Sequence, residues 1–466
     1  MKAAALPIAA ALLLSACAGD GDEAAVEAGD GAASIVAEGR SFATAPDAPD
    51  GPNDAATEQF DLLLALIRGG FVGAAEYQPF IDAGDARHAW LISDLMRFVR
   101  PGDAQDTLVD GFTTLTGVDI SDEIAEERSP WNSVTDRLIA WDTPPPPEYQ
   151  RLKGELFTLV EDAWAPFFED PDATIDWRWL SWGGVFIDDR PLGDPNPCEI
   201  PGCIPSLDDP ELVPAAEGDW YDDDRVVFGV TEGDEAVAFP QNMMQVHEMV
   251  NITIGGRRFG IPYCTLCGSA QAFYTDQVPD GVETPVLRTS GLLSRSNKVM
   301  YDLNTFSAFD TFTGEAVSGP LLDAGVVLDQ NTVTVSTWGE WKAAHPDTTI
   351  VAEDGGIGRE YDDDPLRGRD DDGPIFPVGD VDPRLGVQDP VLGVVLDDGT
   401  PVAFDVAEAR VALAAGQPVE LNGVGLGRDG GGFVALVDGS EVAAHEAFWF
   451  AWSQFHPDTL LWPDDG

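Results

Sequence analysis

Apolar residues follow two different periodicities along the chain. Between residues 57 and 175 they recur every three or four positions, which is the spacing of one face of an α-helix. From about residue 177 the apolar runs become short and are bounded by Gly, Pro and Asp, as is typical of β-strands. We therefore predict an α+β protein, with an N-terminal helical array or bundle followed by a β-rich region.

Two stretches of the β-rich region resemble each other. The sequence VFGV at 227–230, followed by AVAF at 236–239, recurs as VLGV at 391–394 followed by PVAF at 401–404. Trp341 with HPDT at 345–348 recurs as Trp452 with HPDT at 456–459. We expect two related β units, at about 215–352 and 385–466, with His345 and His456 in structural turns.

The first residues are typical of a bacterial lipoprotein signal peptide. Lys2 precedes an apolar run at 3–14, which is shorter than the roughly 20 residues that a membrane span needs. Leu-Ser-Ala-Cys at 14–17 then resembles a lipobox. We expect cleavage ahead of Cys17 and lipid on Cys17, which would anchor an exported protein to the outer face of the cell membrane. A plain secretory signal is the alternative.

These patterns divide the chain into six segments. They are a signal peptide and lipobox (1–17), a disordered acidic tether (18–56), a helical domain (57–175), a β-rich domain (176–352), an acidic linker (353–384) and a shorter β-rich unit (385–466).

Charge narrows the choice of partners. The chain has 83 acidic and 25 basic residues, a formal net charge of −58, and the acids are spread along its length. Dispersed acidity with little Lys is typical of halophilic adaptation, and a cation-binding surface is the alternative. Both interpretations argue against nucleic acid as a partner, because its phosphates would be repelled.

Several motifs occur in one order in the first β unit. They are IPSLDDP at 204–210, HEMVN at 247–251, YCTLCGSA at 263–270, SG at 290–291 and SNKVMYD at 296–302. Together they resemble the bacterial family called domain of unknown function 3179, over about residues 200–352, and the second β unit is a candidate extension of this match to the C-terminus. Thr265 stands where that family usually has proline, and Ile252 where an acid is common. The resemblance implies no reaction, so the chemistry has to be inferred from the residues.

The residue types in these motifs point to a metal or redox site. Cys264 and Cys267 can chelate one ion or close a small disulfide. Gly255-Gly256 predicts a tight hairpin turn, across which His247 could fold back onto the cysteines. With Met300 they form the ligand set of a soft metal, which favours copper. Zinc bound by the cysteines, His247 and Glu248 is a less favoured alternative.

A second cysteine pair has a different character. Cys198 and Cys203 flank a Pro-Gly turn dipeptide, so we expect a structural disulfide there. A disulfide is also an open alternative for Cys264 and Cys267.

Three functions remain open at this point. The first is an extracytoplasmic lipoprotein that binds a metal or performs thiol redox chemistry, with a cell-envelope protein or a small molecule as partner. The second is a non-enzymatic binding or assembly module, in which the cysteines form structural disulfides. The third is a hydrolase, with Cys264 as nucleophile and His247 as base.

The lipobox can be tested directly. Replacing Cys17 by Ser should abolish lipid attachment, because the thioether to the lipid needs the cysteine sulfur. Labelled palmitate should be incorporated into the wild-type protein and into a control carrying Ala in place of Cys198, but not into the Cys17→Ser variant. Equal labelling of all three proteins would contradict the lipobox.

Overall fold

The computed structural model describes residues 42, 44–125, 129–198, 202–369 and 373–463. The predicted signal peptide, Cys17 and most of the predicted tether lie outside these residues. Helices form the N-terminal part, and strands interspersed with short helices form the remainder, so the predicted mixture of helices and strands is confirmed. Among the described residues, every helix is too short or too polar to serve as a transmembrane span.

The N-terminal part is built from short helices around one apolar core. The first helix begins after Asn53, whose side chain accepts a hydrogen bond from the Ala56 amide at 3.2 Å, and it ends at Gly70 in the left-handed region. Trp90, Phe112 and Trp164 are buried in the core. The α-helices of this part are α1 (Asp54–Gly69), α2 (Gln78–Ala83), α3 (Ala89–Phe98), α4 (Asp103–Thr116), α5 (Ser121–Ala125), α6 (Pro130–Ala140), α7 (Tyr149–Thr158) and α8 (Ala165–Glu169), with 3-10 turns at Ala74–Tyr77, Ala86–His88 and Asp162–Trp164.

The strands alternate with five further short helices. These helices are α9 (Gln241–His247), α10 (Gly319–Asp323), α11 (Trp338–Ala344), α12 (Val406–Ala414) and α13 (Trp449–Phe455). The strands are β1 (Leu180–Trp182), β2 (Leu207–Asp208), β3 (Leu212–Pro214), β4 (Val226–Glu232), β5 (Glu235–Pro240), β6 (Met249–Ile254), β7 (Arg257–Cys264), β8 (Ser269–Ala270), β9 (Ala272–Tyr274), β10 (Leu287–Ser294), β11 (Asn297–Asp302), β12 (Ala308–Asp310), β13 (Gln330–Asn331), β14 (Thr334–Thr337), β15 (Thr349–Val351), β16 (Pro390–Val395), β17 (Pro401–Asp405), β18 (Glu420–Leu421), β19 (Val424–Asp429), β20 (Gly432–Val437), β21 (Ser440–Val442), β22 (His445–Phe448) and β23 (Leu460–Trp462).

Five small sheets lie in a ring that resembles a β-propeller. Their strand orders are β1-β10-β11-β12, β13-β9-β7-β6-β2, β14-β4-β5-β15-β3, β22-β16-β17-β23 and β18-β19-β20-β21, and β8 pairs with β7. Strands β6 and β7 form the antiparallel hairpin predicted from Gly255 and Gly256, both of which have positive φ. This hairpin carries the cysteine motif at its far end.

Two sheets share a strand order and a tryptophan contact. In one, β14, β4 and β5 are antiparallel and β15 is parallel to β5; in the other, β22, β16, β17 and β23 have the same relations. Trp341 lies flat against Gly229 in the first sheet, and Trp452 lies against Gly393 in the second. Each indole donates a hydrogen bond to the threonine of its HPDT turn, at 2.9 and 3.0 Å. Glycine is required beneath both rings because any Cβ would overlap them.

The segment 353–384 packs against both parts of the molecule, although it contains no helix or strand among its described residues. The Asp136 carboxylate of α6 accepts hydrogen bonds from the Val378 and Gly379 amides at 2.8 and 2.9 Å. At its other end, Tyr361 contacts His247. The segment that the sequence suggests is a linker thus joins the helices to the sheets.

The glycine–tryptophan contacts predict a loss of stability on substitution. A Cβ at position 229 would lie 2.3 Å from the Trp341 ring, and one at position 393 would lie 2.0 Å from the Trp452 ring. Gly229→Ala and Gly393→Ala should each lower the free energy of unfolding by about 1–3 kcal/mol, which is typical of overpacking. Denaturant unfolding followed by tryptophan fluorescence would measure the change.

Gly425→Ala is the matched control, because a Cβ there would meet no atom nearer than 4.0 Å. Unchanged unfolding midpoints for Gly229→Ala and Gly393→Ala would show that the rings do not press on these strands.

Candidate functional site

The two cysteines of the CTLC motif lie side by side. Cys264 ends β7, a 3-10 turn at Thr265–Cys267 follows, and Gly268 leaves the turn in the left-handed region. Their Sγ atoms are 2.6 Å apart, and both are free thiols. Both also lie near the Ser296 carbonyl oxygen, at 3.7 Å from Cys264 and 3.2 Å from Cys267. The turn therefore holds two sulfurs close enough to react with each other.

The two thiols differ in their access to solvent. Cys264 lines a cleft of about 820 Å³, whereas Cys267 has no exposed surface. Burial raises the pKa of the Cys267 thiol well above its usual value. An incoming molecule can thus reach Cys264 first, with Cys267 behind it.

A buried acid–base pair lies beside the thiols. Glu248 is the left-handed residue that ends α9, and its carboxylate lies 3.6 Å from the Lys298 ammonium of β11. Lys298 also donates to the Glu248 carbonyl, and Thr265 donates to the Glu248 carboxylate at 3.1 Å. Burial raises the pKa of Glu248 and lowers that of Lys298, since each charge loses its water. Both groups act on the charge state of Cys267.

His247 does not reach the cysteines, contrary to the expectation that it would fold back onto them. Its Nδ1 atom lies 2.6 Å from the Pro205 carbonyl and its Nε2 atom 2.7 Å from the Tyr361 hydroxyl. Both ring nitrogens are therefore occupied. The imidazole joins α9 to the two segments that flank it, and the Cys264–His247 contact expected of a hydrolase is absent.

Met300 and the thiols belong to different core clusters. Met300 packs with Met249, Phe273 and Leu287 in a cluster separate from the one that contains the cysteines. Among the described residues, the only His, Cys, Asp or Glu group with three potential ligand atoms within 4.8 Å of one another is Asp188, Cys198 and Cys203. The proposed copper and zinc ligand sets are therefore not assembled in this structure.

Cys198 and Cys203 are joined by a disulfide, as predicted. Their neighbour Asp188 is fully buried and is paired with Arg190, whose guanidinium donates to it at 2.6 and 2.9 Å. Because the sulfurs are bonded to each other and the carboxylate is neutralised, this group is structural.

Other motif residues also have structural roles. Arg288 is fully buried, and its guanidinium forms a two-pronged pair with the Asp208 carboxylate at 2.8 and 2.7 Å. Asn251 donates to the same carboxylate at 3.0 Å and to the Leu287 carbonyl at 2.9 Å. The Tyr301 hydroxyl donates to the Asp188 carbonyl at 2.7 Å. One buried polar network is thus held together by residues of three motifs: IPSLDDP, the asparagine of HEMVN and the tyrosine of SNKVMYD.

Sequence reasoning missed Lys298 and Arg97 as site residues. Lys298 is one of only four lysines in the chain and lies inside a recognised motif, which is a signal that could have indicated its importance. Arg97 comes from α3 of the helical part and reaches the cleft beside Gly184. No local pattern indicates that contact, because it exists only once the two parts have packed together.

Residues 201–426 match the model of a family described as Protein of unknown function (DUF3179). The chain belongs to this family. The matched segment extends past the expected end near 352, so Tyr361, the partner of His247, lies within the family's part of the chain. No curated protein and no solved structure matches the chain.

The burial of His247 predicts a pH dependence of stability. Burial lowers the pKa of His247 from 6.5 to about 4. Below pH 6.5 the unfolded chain binds a proton that the folded protein does not take up until about pH 4. The contribution of neutral His247 to the free energy of unfolding is therefore complete above pH 6.5. This contribution falls by roughly 3 kcal/mol as the pH is lowered towards 4.

Comparison with His247→Gln isolates this effect, because the other four histidines are present in both proteins. The free energy of unfolding should fall more steeply between pH 7 and pH 4 for the wild type than for the variant. Parallel pH profiles would contradict the assignment.

Proposed function

We propose that the chain is a thiol–disulfide redox protein that acts through Cys264 and Cys267. The observation that carries the proposal is the 2.6 Å separation of the two Sγ atoms, with Cys264 at a cleft and Cys267 behind it. A reactive dithiol needs one sulfur that meets the substrate and a second that can displace it. This pair has both properties.

The reaction proceeds by two exchanges. The Cys264 thiolate attacks one sulfur of a substrate disulfide, so that a Cys264–substrate bond forms and the substrate's own S–S bond breaks. The released half leaves as a thiolate and takes up a proton. The Cys267 thiolate then attacks the Cys264 sulfur and releases the second half as a thiol. Two electrons and two protons pass from the protein to the substrate, and the same steps in reverse oxidise a substrate dithiol.

Glu248 and Lys298 serve as positioning and proton-holding groups in this proposal. The Lys298 ammonium favours the Cys267 thiolate, whereas the Glu248 carboxylate opposes it. Because Lys298 is bound to Glu248 through both the carbonyl and the carboxylate, the two groups hold a fixed place beside the sulfurs.

Metal binding is the weaker proposal for the same residues. Two thiolates would supply half of a tetrahedral site, but His247 would have to leave Pro205 and Tyr361 to add a third ligand. A structural role for Cys264 and Cys267 explains their burial but not the cleft in front of Cys264.

We also propose that this chemistry occurs outside the cytoplasm, on a lipid-anchored protein, with two β units of common origin. The lipobox at Cys17 and the Cys198–Cys203 disulfide support the location, because structural disulfides persist in oxidising compartments. The shared strand order and the two glycine–tryptophan contacts support the common origin.

Single substitutions of the two cysteines test the redox proposal. In Cys267→Ser, the mixed disulfide at Cys264 has no second thiol to resolve it, so it should accumulate when a disulfide is added. In Cys264→Ser the remaining thiol is buried and should react far more slowly. Intact-mass spectrometry of both variants, after incubation with dithiodipyridine at neutral pH, measures the adduct.

The wild type should instead release two equivalents of pyridinethione per chain and end with an internal disulfide. Thiols that react only after denaturation, in the wild type and in both variants, would contradict the redox function and favour a purely structural role.

A further inference from the structure

The cleft differs in charge from the rest of the chain. Acids outnumber bases 83 to 25 overall, yet four basic and three acidic side chains line the described wall of the cleft. The basic residues are Arg97, Lys298, Arg359 and Arg369, and the acidic ones are Glu248, Glu360 and Asp362. Since Glu248 is paired with Lys298, three arginines and two acids remain in the lining, an excess of one positive charge.

Arg97 is the most unusual of these residues. Its guanidinium lies 4.5 Å from the centre of the Trp131 ring and 5.1 Å from that of Trp182, and Nε donates to the Trp182 carbonyl at 2.7 Å. No carboxylate of the described residues lies within ion-pairing distance of it, and burial lowers its pKa to about 10. By contrast, Arg87, Arg190 and Arg288, which are also well buried, each have an aspartate partner. A desolvated guanidinium without a counter-ion is a favourable site for an anion.

The backbone comes close to this guanidinium without interposing a side chain. Gly184 has a φ of 94°, and a Cβ there would lie 3.3 Å from Nη2 of Arg97. Gly183 and Gly291 continue the same wall of the cleft. A strip of backbone without side chains therefore faces the end of Arg97.

Arg359 supplies a second positive charge to the lining of the cleft. It forms no ion pair with a described residue, and its guanidinium lies 5.6 Å from the centre of the Tyr361 ring. It belongs to the segment that crosses from the helices to the sheets. Arg97 and Arg359 thus bring two unpaired positive charges from different parts of the fold to the cleft that contains Cys264.

We propose that the cleft selects a small anionic disulfide or thiol, whose carboxylate pairs with Arg97 while its sulfur meets Cys264. This inference rests on the proposed redox function. The acidic surface repels such a molecule at long range, so local arginines are needed to hold it in the cleft. Neutral and cationic disulfides gain nothing from this pairing.

Two disulfide probes of similar shape test the selection. Dithiobis(nitrobenzoate) has a carboxylate on each half, whereas dithiodipyridine is neutral. For the full-length protein, we compare the second-order rate constant for dithiobis(nitrobenzoate) divided by that for dithiodipyridine. This ratio should be about ten- to a hundredfold lower in Arg97→Gln and in Arg359→Gln than in the wild type, because a charge-assisted hydrogen bond is lost. Arg367→Gln is the matched control; this arginine lies on the same segment, is exposed and is not part of the cleft lining.

Arg359→Gln keeps the test decisive if Arg97→Gln fails to fold. The anion selection would be overturned if the rate ratio is unchanged in whichever of Arg97→Gln and Arg359→Gln folds. It would also be overturned if the ratio falls equally in Arg367→Gln.

A binding measurement separates this proposal from the redox function. Calorimetric titration of Cys264→Ser with thionitrobenzoate, the anionic thiol half of the probe, should show binding that weakens at least tenfold in the double variant with Arg359→Gln. Binding by a wild-type protein whose thiols never react would sustain the anion site and overturn the redox function. If both probes react rapidly, their rate ratio is the same in the arginine variants and thionitrobenzoate does not bind, the redox function is supported and the anion site is overturned.

Discussion

The position of the whole site depends on a buried ionic network around Arg288. This arginine has no exposed surface, and it pairs with Asp208 through two hydrogen bonds while Asp188 lies 3.7 Å from its Nε. A buried guanidinium without its carboxylates would cost several kcal/mol, so the segments that carry these acids must pack against β10. Because β10 pairs with β11, the network also fixes where Lys298 lies relative to the cysteines.

The same network explains what most of the family motifs do. Asn251 and Tyr301 bond to residues of the network or to the backbone beside them, and His247 fastens α9 to the Pro205 carbonyl. These residues bear functional groups that are common at catalytic sites, yet their polar atoms are already bonded to other parts of the protein. The groups that remain at the cleft are Cys264, with Cys267 behind it, and the Glu248–Lys298 pair. The motifs therefore form a frame of fixed polar contacts around the two thiols and the Glu248–Lys298 pair.

Local features of the fold were predictable from sequence, whereas long-range contacts of the site were not. The hairpin at Gly255 and Gly256 and the Cys198–Cys203 disulfide depend on residues near one another in the chain. His247 has the residue type and spacing of a metal ligand, but its partners lie 42 and 114 residues away. The segment 353–384 has no apolar periodicity, so its packing against Asp136, more than 240 residues distant, leaves no trace in the local pattern. Such contacts are determined by the assembled fold, and neither residue type nor spacing specifies them.

Charge neutrality constrains how the thiols can react. Glu248 and Lys298 form a pair with no net charge in a buried place, and a thiolate at Cys267 would add a negative charge that water cannot screen. Burial raises the pKa of both Glu248 and Cys267, because a negative charge is less well solvated there than in water. In the proposed reaction, the Lys298 ammonium would favour a Cys267 thiolate and the Glu248 carboxylate would oppose it. The proposed redox reaction at the sulfurs would thus depend on the charges of Glu248 and Lys298 as well as on the two cysteines.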